Sequence, residues 1–301
     1  AIGDRSMGDE GVASLCSSLK VCHGGTLQTL ELGLKDLSPV GTEAIGLCFG
    51  GSRQLRHLNV SRNERIGSDG VISFCDAGKR SIHEEEAETT LAFPRLEYLD
   101  LSECNLGPEG VEALSSLFAE EQNDKVKRRS RIELMMASNP LGKESCASLS
   151  NLVRSPFDGS SHLISLSLAG CSIGDEGVEA LACSSKGRGE GLRMLDLSRN
   201  GITSVGARKL SGALSVGERT NGENYFADLG ELHLAGNPLG VDGVKHVCMS
   251  LQQRSDVGDN PRCGGNHTVK VLDLSETNCG SDGATCAIRC GALSSLLLFN
   301  N

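Results

Sequence analysis

Residues 163–181 read LISLSLAGCSIGDEGVEAL, and this stretch decides the fold of the chain. Leu166 and Leu168 alternate with serine, which places both leucines on one face of a short strand. Cys171 ends that strand. The Gly-Asp-Glu-Gly-Val run that follows favours the start of a helix, because acidic residues suit the positive end of the helix dipole. The stretch therefore predicts a strand, a tight turn and a helix, in that order.

The same pattern recurs along the whole chain. Residues 192–202 read LRMLDLSRNGI and begin 29 residues after the first stretch, and residues 96–106 read LEYLDLSECNL. Weaker copies begin at positions 27, 55, 131, 229, 269 and 293. Repetition at this period is typical of a solenoid, in which each unit buries its apolar face against its neighbours. We therefore predict one domain over residues 1–301, with about eight full units and a partial unit at each end.

A unit of about 28–29 residues that carries a full helix resembles the ribonuclease-inhibitor class of leucine-rich repeats. The resemblance covers essentially the whole chain. It implies an α/β solenoid shaped as a horseshoe, with parallel strands on the concave face and helices on the convex face. It also implies that the Asn or Cys at the ninth position satisfies backbone groups of the turn. Such a pattern specifies the fold and leaves the binding partner open.

Composition narrows the classes of partner. The net charge is −10, so the chain lacks the basic stripe that a nucleic-acid binder uses to neutralise phosphates. The same charge favours a basic protein partner. No stretch reaches the roughly 18 apolar residues of a membrane-spanning helix. We therefore expect a protein partner, with neither nucleic acid nor membrane bound.

The thirteen cysteines form an odd-numbered set without a CxxC pair, which is a poor match to a disulfide framework. Most of them stand where a repeat needs a small buried residue, as Cys16, Cys75 and Cys146 do on predicted helices. We likewise expect Cys286 and Cys290 to fill the core rather than bind zinc. These expectations indicate a reducing compartment and a cytoplasmic location. The resemblance adds cytoskeletal and ciliary settings to that prediction.

The candidate binding surface follows from the strands, since the residue between the two core leucines of each unit points away from the core. In order, these outward residues are Glu31, Asn59, Asp100, Met135, Ser167, Asp196, His233, Asp273 and Leu297. Several are acidic, which suggests a lane for a basic ligand. The alternative is that Leu-Asp-Leu-Ser is simply the habitual strand sequence of this repeat. We predict that a partner contacts Glu31, Asn59, Tyr98, Asp100, Asp196, His233 and Asp273.

A second candidate surface comes from insertions between helix and strand, which would all lie on one rim of the solenoid. Such insertions mark either a decorated binding surface or tolerated changes. Two of these loops carry opposite charge, at residues 83–88 and 125–131, and they could pair with each other or hold an acidic partner. The inserted segments are residues 77–94, 119–130, 215–228 and 252–268.

Chemistry-bearing motifs are hard to find in the sequence. The seven histidines make no metal-ligand spacing with cysteine, and the glycine-rich residues 187–191 lack the Lys-Ser/Thr of a phosphate loop. No nucleophile–base set is suggested. The expectation is a protein that is not an enzyme, with no catalytic residue, no cofactor and no metal.

The sequence thus predicts a non-catalytic scaffold that binds a protein through the concave face, the inserted-loop rim, or both. Two alternatives stay open. One is a GTPase-activating protein similar to the Ran activator, although that family carries an acidic tail that this chain lacks. The other is the ligand-sensing module of a larger receptor. Because the first unit holds only the helix part and the last ends on its strand, we expect a segment of a larger polypeptide or assembly.

Overall fold

A computed structural model gives the structure as alternating strands and helices. It describes residues 7–21, 26–84, 91–119, 131–153, 163–184, 191–215, 226, 228–252, 268–290 and 293–301. The strands are β1 Thr29–Glu31, β2 His57–Asn59, β3 Tyr98–Asp100, β4 Ile132–Met135, β5 Leu163–Ser167, β6 Met194–Asp196, β7 Glu231–His233, β8 Val271–Asp273 and β9 Ser295–Leu297. The helices are α1 Gly8–Val21, α2 Pro39–Phe49, α3 Gly67–Glu84, α4 Pro108–Ala119, α5 Cys146–Val153, α6 Gly174–Ser184, α7 Ser204–Leu214, α8 Gly240–Leu251 and α9 Gly280–Ile288, and a short 3-10 turn, Lys143–Ser145, precedes α5.

The chain forms two compact units, residues 1–140 and 141–301. In the first unit, β1 to β4 pair in parallel and in chain order, with the buried Leu30, Leu58, Leu99 and Leu134 in register. The helices α1 to α4 pack one against the next in the same order. Each strand-to-helix-to-strand connection therefore adds one layer to a parallel ladder.

The second unit repeats this plan with β5 to β9. Its register aligns Leu166, Leu195, Leu232, Leu272 and Leu296 across neighbouring parallel strands. The first four leucines of that row are at most 1% exposed, and α5 to α9 pack in sequence. Both units confirm the predicted α/β solenoid of strand–helix repeats.

Buried asparagines close the turns that follow the strands. Asn200 accepts hydrogen bonds from the backbone N–H groups of Cys171, at 3.1 Å, and Ile173, at 3.3 Å, and donates to the carbonyl oxygen of Leu168 at 2.8 Å. Its side chain thus satisfies backbone groups of the preceding repeat, which the core would otherwise leave unpaired. Asn63, Asn139 and Asn237 bond in the same way to the turns before them.

Cys104 occupies the position of these asparagines in its own repeat and makes part of the same hydrogen bonding. The Cys104 thiol is fully buried and donates to the carbonyl oxygen of Val60 at 3.2 Å. Burial raises the pKa of Cys104 to about 12, so the group stays a neutral thiol. Cys104 is therefore a structural residue of the turn rather than a reactive one.

Acidic residues in the first turn of α1 and α6 act on the following helix. Asp175, at the start of α6, accepts hydrogen bonds from the Thr203 backbone N–H at 2.8 Å, the Thr203 hydroxyl at 2.6 Å and the Gly206 N–H at 3.0 Å. Thr203 is the N-cap of α7. Asp9 makes the same three bonds, to Ser38 and Gly41, at the start of α2. From the sequence, acidic residues such as Asp9 and Asp175 were expected to interact with the dipole of their own helix. In the structure they also link successive repeats.

We expect Asp175→Ala to lower the free energy of unfolding by about 2 kcal/mol, because it leaves the N–H groups of Thr203 and Gly206 at the start of α7 unpaired. Urea denaturation monitored by circular dichroism measures the change. Glu176→Ala is the matched control, since Glu176 has the same charge in the same helical turn and is exposed. Equal losses for both variants would contradict the role given to Asp175 and favour a dipole effect alone.

Candidate partner-binding surface

The outward positions of the first unit form a row beside the buried leucines. Glu31, Asn59, Asp100 and Met135 align in register on β1 to β4, and all four are half-buried. They stand beyond Leu30, Leu58, Leu99 and Leu134, whose side chains enter the core. The first unit therefore brings together the predicted contact residues Glu31, Asn59 and Asp100.

The second unit carries its own row. Asp196, His233 and Asp273 are half-buried and in register on β6, β7 and β8. Ser167 is in register with Asp196 and faces the same way, as expected, but it is only 6% exposed. The short serine side chain lies beneath its neighbour, with its hydroxyl 3.4 Å from the Asp196 carboxylate. The predicted contact residues thus form two groups, one in each unit.

The aspartates of both rows also shape the turns. The Oδ1 atoms of Asp100, Asp196 and Asp273 accept a hydrogen bond from the backbone N–H of the serine two residues later, at 2.9, 3.0 and 2.9 Å. Asn59 does the same through its amide oxygen, at 2.9 Å. The Leu-Asp-Leu-Ser sequence therefore has a structural reason. Only one carboxylate oxygen serves it, so the negative charge still lies on the outward side.

A stacked pair of rings lies beside the row of the first unit. The rings of His57 and Tyr98 are 4.1 Å apart between centroids with an angle of 2° between their planes. Glu31 Oε1 lies 2.7 Å from His57 Nε2, and the Tyr98 hydroxyl lies 3.5 Å from Asp100 Oδ2. The sequence predicted Tyr98 as a contact residue but did not pair it with His57. Their identical offset, two residues before Asn59 and Asp100, was the signal that could have paired them.

Tyr98 is held in its neutral form. Burial, followed by the negative charges of Asp100 and Glu31, raises the pKa of Tyr98 from 10.0 to about 12. The folded state therefore binds the phenolic proton more tightly than the unfolded chain does. Stability is unaffected by this group below about pH 10 and falls as the pH rises from there through the folded-state pKa.

We expect Asp100→Asn to lower the pKa of Tyr98 from about 12 towards 10.0, because the variant removes a negative charge close to the phenol. The chain has two tyrosines and no tryptophan, so Tyr225→Phe leaves Tyr98 as the only tyrosine. Tyrosinate absorbance across alkaline pH then reports Tyr98 directly, with circular dichroism confirming that the chain is folded at each pH. An unchanged pKa would show that Asp100 does not contribute to the raised value.

Comparison with known proteins agrees with this architecture. A family model described as Leucine Rich repeat matches residues 51–75, 95–115, 159–182 and 192–211. The ribonuclease inhibitors of Sus scrofa and Mus musculus are 26% and 27% identical to the chain, over 99% and 94% of its length. The chain is a leucine-rich-repeat solenoid similar to the ribonuclease inhibitors.

The leucine-rich-repeat chain spans only part of its relatives. It covers 61% of the Sus scrofa inhibitor and 65% of the Mus musculus inhibitor. "NACHT, LRR and PYD domains-containing protein 14" of Mus musculus is 28% identical over 97% of the chain, which covers 28% of that relative. Leucine-rich repeats are generally protein-interaction modules, and this family is typically non-catalytic.

The inserted-loop rim of this leucine-rich-repeat chain falls mostly outside the described residues. These residues leave out positions 85–90, 120–130, 216–225, 227 and 253–267, which make up most of the four insertions. The acidic run at 83–88 and the basic run at 125–131 lie outside them too, apart from the backbone of residues 83 and 84 and Arg131. The rim and its two charged loops therefore stay predictions.

The cysteines of the leucine-rich repeats mainly fill the core. Of those predicted to be buried on helices, Cys16 and Cys75 are buried and Cys146 is half-buried. In the second unit the Cys290 thiol donates to the Cys248 carbonyl oxygen at 3.7 Å. The Cys248 thiol donates to the Cys290 sulfur, and this bond together with burial raises the pKa of Cys248.

The described residues contain no group of three or more His, Cys, Asp or Glu side chains placed to hold a metal ion. None of the helices described combines the length and apolar character needed to cross a bilayer.

Proposed function

We propose that the chain is a non-catalytic protein–protein interaction scaffold. It would hold a partner on the outward face of its strands, on the inserted-loop rim, or on both. Similarity to a family of interaction modules supports the general role. The observation that carries the finer proposal is the pair of outward rows, which place polar and acidic side chains at every predicted contact position of β1 to β3 and β6 to β8.

Preorganisation is what makes such rows useful for binding. Asp100, Asp196 and Asp273 are already oriented by a hydrogen bond to their own turn, so little side-chain freedom is lost when a partner docks. Their charges would steer a basic partner to the face and select against an acidic one. The net charge of −10 acts in the same direction at longer range.

Affinity capture from a native lysate, followed by cross-linking mass spectrometry, tests this proposal. We expect cross-links to concentrate on β1 to β3, on β6 to β8 or on the inserted segments, with few on the outer helices. Because two relatives are named ribonuclease inhibitor, a ribonuclease is the first purified partner to test, by direct binding and by inhibition of RNA cleavage. Capture of a protein that cross-links only to the helices would overturn the choice of face.

A second candidate is a ligand-sensing module of a larger receptor. The similarity to several NACHT, LRR and PYD domains-containing proteins supports it, including protein 14 of Mus musculus and protein 3 of Homo sapiens, the latter 26% identical over the whole chain. The two candidates differ in what the bound partner does. A sensor responds to its ligand through domains outside the repeats, so the longest native form must change its assembly state on binding, whereas a scaffold need not.

The GTPase-activating alternative stays a prediction. A single-turnover GTP hydrolysis assay with a small GTPase separates it from the scaffold, because only an activator accelerates hydrolysis. We also propose a reducing, cytoplasmic setting, and the buried thiols of Cys104, Cys171 and Cys279 support it. Fractionation of cells that produce the native protein tests that location.

A further inference from the structure

One face of the Tyr98 ring is covered and the other turns towards β4. His57 stacks on the covered face, with 4.1 Å between ring centroids. Its strand, β2, lies on one side of β3, and β4 lies on the other. On β4 the residue in register with Tyr98 is Glu133, which is exposed. Since neighbouring strands are about 4.8 Å apart, the Glu133 side chain lies beside the Tyr98 ring, on the side opposite His57.

Asp100 adds a second carboxylate at the hydroxyl end of the same ring. Its Oδ2 lies 3.5 Å from the Tyr98 hydroxyl, while its Oδ1 is engaged by the backbone of Ser102. Burial is the main cause of the raised pKa of Tyr98, and the charges of Asp100 and, least of all, Glu133 add to it.

The two carboxylates differ from their acidic neighbours in their pairing. Within the described part of the chain, Glu31 is matched by His57 and Glu97 by Arg56, whereas neither Asp100 nor Glu133 takes part in an ion pair. An aromatic face flanked by two such carboxylates fits a planar cation, which can stack on the ring and donate hydrogen bonds from its edge.

We propose that Tyr98, Glu133 and Asp100 form an arginine-binding site for a side chain of the protein partner. The proposal rests on the proposed function, in which this face binds a basic protein, and it names the residue type that the first unit recognises. A guanidinium is planar and can stack and bond to carboxylates at once. A lysine ammonium is a compact, strongly hydrated charge, so the site distinguishes the two.

The second unit contains a matched position without the ring. Glu231 on β7 is exposed and in register with Met194 on β6, as Glu133 is with Tyr98. This position has the same carboxylate and the same strand geometry, but it has the thioether of Met194 in place of the aromatic ring of Tyr98. Glu231→Gln removes the same charge from the corresponding strand position, where Glu231 lies 3.6 Å from His233 Nε2, and serves as the control.

The test uses N-acetyl-arginine amide and N-acetyl-lysine amide as probes of the full chain. In the Tyr225→Phe protein with labelled tyrosine, the ring resonances in an NMR titration report Tyr98 alone. We expect the arginine probe to shift these resonances saturably in the millimolar range and to bind roughly 3–10 times more tightly than the lysine probe. Glu133→Gln should weaken arginine binding about threefold or more, and Glu231→Gln should leave it unchanged.

Equal affinities for the two probes would overturn the proposal, as would equal effects of Glu133→Gln and Glu231→Gln, because both would indicate charge without stacking. Glu133 is exposed, so its substitution should leave the fold intact, which circular dichroism checks. The titration needs no natural partner. If it fails while a captured partner still cross-links to the strands, the arginine site is refuted and the scaffold stands. If the probe binds while no partner is captured, Tyr98, Glu133 and Asp100 bind arginine but the scaffold proposal fails.

Discussion

Replacing Asn200 by alanine is expected to lower the free energy of unfolding of the second unit by about 4 kcal/mol, a loss larger than most single substitutions produce. The side chain is 2% exposed, and it pairs with the N–H groups of Cys171 and Ile173 and the carbonyl oxygen of Leu168. Alanine leaves these groups without a partner in a place that water does not reach. Each buried unpaired group costs about 1–3 kcal/mol.

Urea denaturation of the whole chain measures this loss, with Asn151→Ala as the control. Asn151 is exposed on α5 and should change stability by less than about 0.5 kcal/mol. Asn200→Cys adds a graded test. A thiol can donate to a carbonyl, as Cys104 does, but it replaces only part of the amide's bonding, so cysteine should be less harmful than alanine. If alanine and cysteine proved equally mild, the hydrogen bonds would not be what Asn200 contributes.

Replacing Asp100, Asp196 and Asp273 together by asparagine is expected to weaken a basic partner roughly 10- to 100-fold at low salt, mainly by slowing association. The triple variant removes three negative charges, but each asparagine still has a side-chain oxygen that can accept the hydrogen bond from the turn. Asn59 already performs that role at the same position of the row. Stability should therefore change little, which separates a loss of binding from a loss of folding.

The matched control removes three acidic charges from the helices, by Glu112→Gln, Asp242→Asn and Asp282→Asn. These residues are exposed on α4, α8 and α9, so net charge changes equally in both triple variants. Affinity for the captured partner, measured across a salt series, should fall and lose much of its salt dependence only when the strand residues are changed. Identical behaviour of the two triples would mean that overall charge, and not the outward rows, attracts the partner.

Most of the fold could be predicted from the sequence because it depends on local spacing. The alternation of Leu166 and Leu168 requires one buried strand face, and both residues are fully buried. The polar ninth position was expected from the family to serve the turn, and Asn200 does so through three backbone partners. Such features recur in every repeat at the same spacing, so one repeat with a clear pattern predicts the structure of the others.

What escaped prediction depends on contacts between repeats. Asp175 was assigned to its own helix, yet it bonds to Thr203 in the next repeat, 28 residues later. The burial of Ser167 was not expected, because the spacing gives the direction of a side chain but not its coverage by a neighbour. The stacking of His57 on Tyr98 requires the register between β2 and β3 and the side-chain rotamers, which no single repeat specifies.

The buried asparagines Asn63, Asn139, Asn200 and Asn237 all bond towards the N-terminal side, and this matters while the protein is being synthesised. Each asparagine completes the turn of the repeat before it, never its own helix. As the chain leaves the ribosome, the turn at Cys171 therefore waits for Asn200, 29 residues later, and Asn200 in turn receives the side chain of Asn237, 37 residues further on. Until Asn200 emerges, the N–H groups of Cys171 and Ile173 lack their partner. A chaperone or a pause in translation that protects the nascent protein would have to act on the turn that still lacks its asparagine. The position of that turn moves along the chain as synthesis proceeds.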